Sequence, residues 1–353
     1  MPQFDIWNLK EDITKYNKYL ENCIEITAYH LTEYLLAEAA AEDGITMIFL
    51  YQEDTHYALF PSIVRKINDI PYLASELSGE VYDMITPHEY SGIISNTDES
   101  GIKQELLSRI RQYCLDKNII FGFVRINPYL KELPQIFEAD GYDVILSCRQ
   151  VYIDLVQAEE EIVKAYKSNV KRNIKRAQRE ELTFEIAEKN DWNIDIFQRI
   201  YVKAMEILEA RRFLYFNEEY FRNLASCECA KLGFVRAPDG NVVASGIMLV
   251  YKNTAYYHLG CFDREYSSMR PMNYLIHSMI MWSKQQDYKV FHLAGGGKSL
   301  MQFKEGYSHD RVEYYIAVRV FKTSKYEEIC NIWKHKFPKH DGVQYYPLYR
   351  YNE

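Results

Sequence analysis

The order of elements predicted for the first half of the chain recurs in the second half, about 170 positions further on. In each half, helical patterns precede two apolar segments that are separated by a polar turn, which predicts a β-hairpin. A strand, a loop, an amphipathic helix and a further strand then follow in the same order. The repeat therefore predicts one α/β unit used twice, each with a mainly antiparallel central sheet flanked by helices.

The length of 353 residues suits two domains of roughly 100–200 residues each. The junction is expected near "CRQVYIDLVQAEEE", where a strand gives way to an acidic helix start. We assign residues 1–152 to the first domain and residues 153–322 to the second. The C-terminal segment 323–353 is expected to pack on the first domain.

Composition excludes several classes of protein. The N-terminus lacks a basic and then apolar start, and no apolar run approaches the roughly 20 residues of a membrane span, so the cytoplasm is the expected compartment. A net charge of −8 argues against a protein that coats nucleic acid, although it permits a local basic patch. The cysteines are mostly isolated and the histidines lack HxH or HExxH spacing, so neither a disulfide framework nor a metal site is expected.

The stretch "HLAGGGKSLMQFKEGYS" (292–308) resembles a phosphate-binding loop but fits neither common template. A Walker A loop requires glycine where His292 stands, and a dinucleotide fingerprint requires glycine where Leu300 stands. The glycines are compatible with a tight turn into a short helix or with close approach of backbone N–H groups to a ligand. Lys304 lies among apolar neighbours, so its amine is a candidate to stabilise an oxyanion or to bind a phosphate.

The segment 159–181 predicts a helix with one apolar face and one strongly basic face. The basic face is either merely solvated or a track for the phosphates of a nucleotide or RNA. Its candidate phosphate-binding residues are Lys171, Arg172, Lys175 and Arg176.

A second cationic candidate is the stretch "EARRFLYFNEEYF", which follows a long predicted helix. There Arg211, Arg212 and Tyr215 stand close together, and a planar guanidinium could clamp a diphosphate or a carboxylate.

Four segments together resemble the FemABX family of non-ribosomal peptidyl transferases and, more loosely, the FemAB-like GNAT acyltransferases. They are "TPHEYSG", "SNVKRNIKRAQRE", "ARRFLYF" and "LAGGGKSLMQFKEGYS", which together span about residues 85–310. The resemblance implies an α/β (α+β) fold of two tandem GNAT-like domains. No long insertion interrupts the second half, so a coiled-coil arm is not expected.

The resemblance also implies a reaction and its residues. Family members transfer an amino acid from aminoacyl-tRNA to an amine of a UDP- or lipid-linked muropeptide precursor. Phe303 and Lys304 would then form the reaction centre, with Lys304 stabilising the tetrahedral oxyanion. No cofactor is expected beyond the aminoacyl-tRNA co-substrate, and a lipid-linked acceptor would bring the protein near a membrane without a transmembrane segment. The substrate-binding residues implied are Arg211, Tyr215, Tyr256, Tyr90, Gly295, Gly296 and Gly297.

The family's "YGYGG" type loop reads "HEYSG" here and keeps only Tyr90 and Gly92. An acyl-CoA N-acyltransferase is the main alternative. It requires a pyrophosphate-binding loop at a helix N-terminus after "TAYYHLGCF", where this chain has Arg264 and Arg270 but no glycine. A non-catalytic nucleotide- or RNA-binding relative is the second alternative. The sequence leaves the transferred group, the acceptor and the oligomeric state open.

Overall fold

The structure is a computed structural model that describes residues 2–24, 26–211, 214–340 and 342–351. It divides into two compact units, Met1–Ser147 with Tyr314–Glu353, and Cys148–Glu313. The boundaries predicted after residues 152 and 322 lie further along the chain. Each observed boundary falls within a strand, Asp143–Asp154 in one case and Arg311–Val320 in the other.

The first unit contains a sheet of strands, which are numbered in chain order over the whole protein. They are β1 (Gln3–Asn8), β2 (Ile45–Glu53), β3 (His56–Lys66), β4 (Tyr82–Ile85), β5 (Ile94–Ser95), β6 (Ile119–Arg125) and β13 (Arg311–Val320). Their order in the sheet is β1-β2-β3-β4-β6-β13, and β5 pairs with β3. The β4–β6 pair is parallel, and the other described pairs are antiparallel.

Helices cover this sheet because each presents an apolar stripe to it. The longest of them buries Ile102, Leu106, Ile110 and Cys114, which recur at four-residue spacing on one helix face. These side chains join the core formed by β2, β3 and β6. The helices of the unit are α1 (Ile13–Leu20), α2 (Thr32–Ala41), α3 (Ser100–Asp116), α4 (Leu133–Ala139) and α11 (Thr323–Lys336).

A buried carboxylate ties the C-terminal segment to this unit. The Asp83 side chain on β4 is fully buried and accepts hydrogen bonds from Arg65 Nε (2.8 Å), Tyr349 Oη (3.0 Å) and Arg350 Nε (2.5 Å). Burial opposes the charge of Asp83, but the two guanidinium groups outweigh it and lower the carboxyl pKa. The cluster is a hydrogen-bonded ionic network in which the buried charge has partners.

The second unit repeats this design. Its elements are β7 (Asp143–Asp154), α5 (Glu159–Ala165), α6 (Ser168–Arg179), β8 (Thr183–Ala187), α7 (Asp191–Ile207), α8 (Glu218–Ser226), β9 (Ala230–Arg236), β10 (Val242–Tyr251), β11 (Thr254–Phe262), α9 (Pro271–Gln285), β12 (Val290–Ala294) and α10 (Lys298–Lys304). The strand order in its sheet is β7-β12-β11-β10-β9-β8. The β11–β12 pair is parallel and the other described pairs are antiparallel, which agrees with the predicted mainly antiparallel sheet.

The single helix predicted for residues 159–181 is wrong, because the chain forms two helices there, α5 and α6. Tyr166 and Lys167 adopt extended backbone between them, with ψ of 142° and 152°. The reason is tertiary: the Lys167 backbone N–H donates to the Gly306 carbonyl at 2.8 Å instead of continuing the helix.

No helix within the described part of the chain combines the length and apolar character needed to cross a membrane.

Candidate active site

The neighbouring parallel strands β11 and β12 of the second unit separate along their length. Their register begins at Thr254 and Val290 and ends at Tyr256 and His292. Beyond this point β11 continues to Phe262 alongside β10, while β12 ends at Ala294. The last part of β11 therefore has no described pairing to β12, and a strand edge of this kind is suited to an extended ligand.

The glycine loop Gly295–Gly297 connects β12 to α10. A side chain on Gly295 would lie 3.0 Å from Cys148 Sγ, and one on Gly296, whose φ is +148°, would lie 2.6 Å from Leu300 Cδ2. A side chain on Gly297 would meet nothing within 4 Å. The turn thus requires glycine at 296, a side chain at 295 would be tightly packed, and glycine at 297 has no steric reason.

The Lys304 side chain is almost fully buried, at 4% exposed, at the end of α10. Its Nζ donates a hydrogen bond to the Gly295 carbonyl at 2.5 Å, and it lies 5.6 Å from the centre of the Tyr257 ring. The loop and the lysine therefore form one structure, in which the turn supplies the carbonyl that orients the ammonium. A buried cation held in this way can stabilise negative charge on a substrate oxygen.

A network of aromatic and asparagine side chains holds the C-terminal end of α10 in place. The Phe303 ring packs edge-on against Tyr307, with 5.5 Å between ring centres. The Tyr307 hydroxyl accepts a hydrogen bond from Asn273 Nδ2 (2.8 Å), and Asn273 Oδ1 accepts one from Asn173 Nδ2 (3.1 Å). Burial raises the pKa of Tyr307 well above its usual range, so the hydroxyl stays neutral. These contacts fix α10 to α6 and α9.

Tyr257, next to the predicted Tyr256, is the residue that contacts this centre. Tyr257 belongs to the core cluster beneath α6 and α9, together with Ala255 and Leu275. Tyr256 points to the opposite face of β11 because side chains alternate along a strand. There its ring stacks on His292, with 5.4 Å between centres, and burial lowers the pKa of His292 to about 3, which keeps that imidazole neutral.

The other predicted substrate-binding side chains lie at the surface or in the other unit. Arg211 and Tyr215 are exposed in the segment after α7, and Arg212 lies outside the described residues. Tyr90 belongs to the first unit and is fully buried, with its ring edge-on to Tyr29 and Tyr314 at 5.6 and 6.0 Å. Its side chain therefore does not form a solvent-facing surface.

The basic helix α6 presents Arg172, Lys175 and Arg176 to solvent and buries Val170 and related apolar side chains. Lys171 is half-buried, and its Nζ donates to the Lys164 carbonyl at 2.8 Å. The amphipathic pattern is thus as predicted, and the exposed cations border the segment that bonds to Gly306.

The loop considered for acyl-CoA leads into the N-terminus of α9. Arg270 precedes Pro271 with φ of +62°, and the helix has no side-chain cap. Arg264 and Arg270 are both exposed. Pro271 has no N–H, and the Asn273 N–H donates to the Arg270 carbonyl at 3.2 Å. The support for a phosphate group here is therefore the two exposed cations at the helix start rather than a set of free N–H groups.

The described residues hold neither a cluster of metal-ligating side chains nor a disulfide. They contain no group of three or more histidine, cysteine, aspartate or glutamate side chains arranged to hold a metal ion. All seven cysteines are free thiols.

Comparison with known proteins agrees with this architecture. Residues 164–305 match the family described as Acetyltransferase (GNAT) domain. The crystal structure of FemX has a TM-score of 0.69 at 11% identity, covering 93% of this chain and 99% of that chain. No curated protein matches the sequence.

Two further solved structures share the fold. The C-terminal domain of a "Putative Lysylphosphatidylglycerol Synthetase" from Agrobacterium fabrum has a TM-score of 0.59 at 14% identity, covering 95% of this chain and 99% of that chain. L-PGS from Bacillus licheniformis has a TM-score of 0.57 at 15% identity, covering 86% of this chain and 91% of that chain. With the GNAT match at residues 164–305, these likenesses confirm that the fold resembles the predicted FemABX-type, GNAT-related fold.

Proposed function

We propose that this protein transfers an aminoacyl group from aminoacyl-tRNA to an amine of a UDP- or lipid-linked muropeptide. The observation that carries the proposal is the buried Lys304 ammonium, oriented by the Gly295 carbonyl beside the separating strands β11 and β12. Aminolysis of an ester needs its reactants held together and its oxyanion stabilised, and it needs no covalent nucleophile. The reaction as proposed requires no resident cofactor.

The donor is assigned from charge and from the names of similar structures. The exposed cations of α6 lie on the helix whose first turn packs on Gly306, directly after α10, so a polyanion bound there would lie close to Lys304. A tRNA offers such phosphates, and counterion release would favour its binding. The names FemX and lysylphosphatidylglycerol synthetase also favour an aminoacyl donor over an acetyl donor.

An acyl-CoA donor is the second candidate. It is favoured by the Acetyltransferase (GNAT) domain match over residues 164–305 and by the exposed Arg264 and Arg270 at the start of α9. In that case the pyrophosphate would bind at α9 and the thioester would lie along the free edge of β11.

Thermal unfolding with each ligand separates the candidates. A ligand present at 100 times its dissociation constant stabilises the folded protein by about 2.7 kcal/mol. We expect stabilisation by a UDP-linked muropeptide and labelled product when aminoacyl-tRNA is added. Stabilisation by acetyl-CoA alone, with transfer from it, would replace the leading proposal by the second. Binding of tRNA or nucleotide without transfer from either donor would indicate a non-catalytic relative.

A further inference from the structure

The Tyr257 hydroxyl has no hydrogen-bond partner among the described residues. The residue is 8% exposed, but its oxygen does not belong to the fully buried side-chain atoms that lack a partner, so the hydroxyl retains access to solvent. A hydroxyl that reaches solvent from a mostly buried ring can exchange a bound water for a ligand atom.

The position of this hydroxyl is fixed by a glycine further along β11. A side chain on Gly260 would lie 1.9 Å from Tyr257 Oη and 2.7 Å from Cζ, so the hydroxyl covers the Gly260 backbone. Met272 of α9 borders the same spot, with its Cε 3.0 Å from that position. Gly260 lies in the part of β11 beyond the last β12 pair at Tyr256 and His292. The hydroxyl is thus directed to the place where the strands have separated.

The electrostatic surroundings keep this group a donor. Burial, together with the neighbouring Cys261 and Tyr201, raises the pKa of Tyr257 far above its usual range. At neutral pH the side chain is therefore a protonated O–H group, as a hydrogen-bond donor to an anion must be.

We propose that Tyr257 is a second oxyanion donor, which works together with Lys304 on the same substrate oxygen. The inference rests on the proposed acyl transfer. The Lys304 Nζ lies 5.6 Å from the centre of the Tyr257 ring, so the ammonium lies close to the residue that carries the hydroxyl. Two preorganised donors at a developing oxyanion are a common arrangement in acyl transfer.

The step conserves atoms and electrons. The lone pair of the acceptor amine attacks the acyl carbonyl carbon and forms the C–N bond, while the carbonyl π pair moves onto oxygen. That oxyanion accepts hydrogen bonds from Tyr257 and Lys304. Its collapse breaks the ester C–O bond, and the leaving ribose oxygen takes the bonding pair and the proton lost by the amine. Tyr257 keeps its proton throughout.

The first test removes only the oxygen atom. We expect Tyr257→Phe to lower kcat about 10²-fold, the effect of losing one oxyanion donor, and to leave the KM values within about twofold, because the bond forms only in the transition state. Tyr288→Phe makes the same change in a half-buried tyrosine outside the site and should keep the wild-type kcat. Thermal unfolding of both variants checks that each folds.

A second test displaces the hydroxyl without removing it. The Gly260→Ala methyl would overlap Tyr257 Oη and push the ring aside, so this variant should lose kcat to a similar extent. The kcat of the Tyr257→Phe/Gly260→Ala double variant should be no more than about twofold lower than that of the more impaired single variant, because the two changes remove the same interaction.

Each result bears on a different statement. An active wild type whose Tyr257→Phe variant has unchanged kcat would overturn the role of Tyr257 and leave the proposed function standing. Equal losses in kcat for Tyr257→Phe and Tyr288→Phe would also overturn it. A wild type that transfers no acyl group from either donor would overturn the proposed function, and this inference with it.

Discussion

Replacing Lys304 by methionine is the most direct probe of the candidate site. The change removes the ammonium and keeps an unbranched side chain of similar shape. We expect turnover to fall by about 10²–10³, which corresponds to about 2.7–4 kcal/mol of lost transition-state stabilisation for one oxyanion donor. Ground-state binding should change little, so the loss appears in kcat.

The fold should survive this change because its two effects on the free energy of unfolding have opposite signs. The variant loses the bond from Nζ to the Gly295 carbonyl, and a hydrogen bond to a charged group is worth about 1.5–3 kcal/mol. It also no longer buries an ammonium at 4% exposure, which is itself unfavourable. We therefore expect the free energy of unfolding to change by no more than about 2 kcal/mol.

The assay is single-turnover transfer with saturating donor and acceptor, beside urea unfolding of the same preparations. Lys298→Met is the matched control, because Lys298 begins the same helix and its side chain is exposed. Lys298→Met should retain wild-type turnover. A folded Lys304→Met variant with wild-type turnover would remove Lys304 from the mechanism, and equal losses in both variants would indicate a general electrostatic effect.

Three other predictions test separate parts of the structure. Replacing Arg172 and Arg176 together by glutamine should weaken tRNA binding and reduce the slope of log K against log salt by about 2, as measured by filter binding across salt concentrations. Asp83→Asn should destabilise the first unit by about 3 kcal/mol near neutral pH, because it removes the buried carboxylate charge shared by Arg65 and Arg350, while Arg65 keeps its ion pair with Glu42. The lowered pKa of Asp83 stabilises the wild type above the unfolded pKa of about 4, so that advantage should disappear in urea titrations at lower pH. Gly296→Ala should reduce turnover through displacement of Leu300, and an unchanged Leu300 position in a crystal structure of the variant would contradict this reason.

The elements that carry the site could be predicted because their signals are local. The β9–β10 hairpin turns at Gly240, whose φ is +86°, as the Asp239-Gly240 pair indicates. The order β11, α9, β12 follows from apolar periodicity that changes from strand to helix and back. The sequence alone does not predict strand β1, because "QFDIWN" is short and mostly half-buried, and its pairing partner β2 lies some 40 residues away.

The break between α5 and α6 could not be predicted from local sequence. Tyr166 and Lys167 have no helix-breaking character, and the cause is a hydrogen bond to Gly306 in a distant segment. Gly306 also has no room for a side chain, because one would lie 2.6 Å from Val170 Cγ2. The sequence contains both ends of this contact, but only the folded unit brings them together.

In the candidate site, too, some residues could be predicted from the sequence and others could not. Lys304 could be identified because one lysine among apolar residues at helical spacing is unusual. Tyr256 and Tyr257 could not be distinguished, because the sequence does not say which face of β11 lies beneath α6 and α9. A register shift at Ile247 and Met248 on β10 also leaves His258 as an extra residue on β11, and such a bulge depends on the paired strand.

The repeat that organises the chain extends to the packing around the candidate site. In both units a strand leads through a loop into a short helix that ends before a Gly-Tyr pair, α4 in the first unit and α10 in the second. Phe137 and Tyr142 pack edge-on with 5.1 Å between ring centres and 76° between planes. Phe303 and Tyr307 do the same at 5.5 Å and 71°. The aromatic pair therefore serves the fold, since it closes the core beneath the short helix in each copy.

The buried lysine after the phenylalanine, in contrast, is present in the second unit and not in the first. The residue after Phe137 is Glu138, which is exposed, where the second unit has its buried lysine after Phe303. The loop before α4, "INPYLKE", contains no glycine, and the buried Lys103 of that unit comes from α3 and is already paired with Glu132 at 2.7 Å. Since the aromatic packing is repeated without the cation, the fold does not require a lysine at this position. A cation that the fold does not require, and that is nevertheless buried, is better explained by chemistry than by stability.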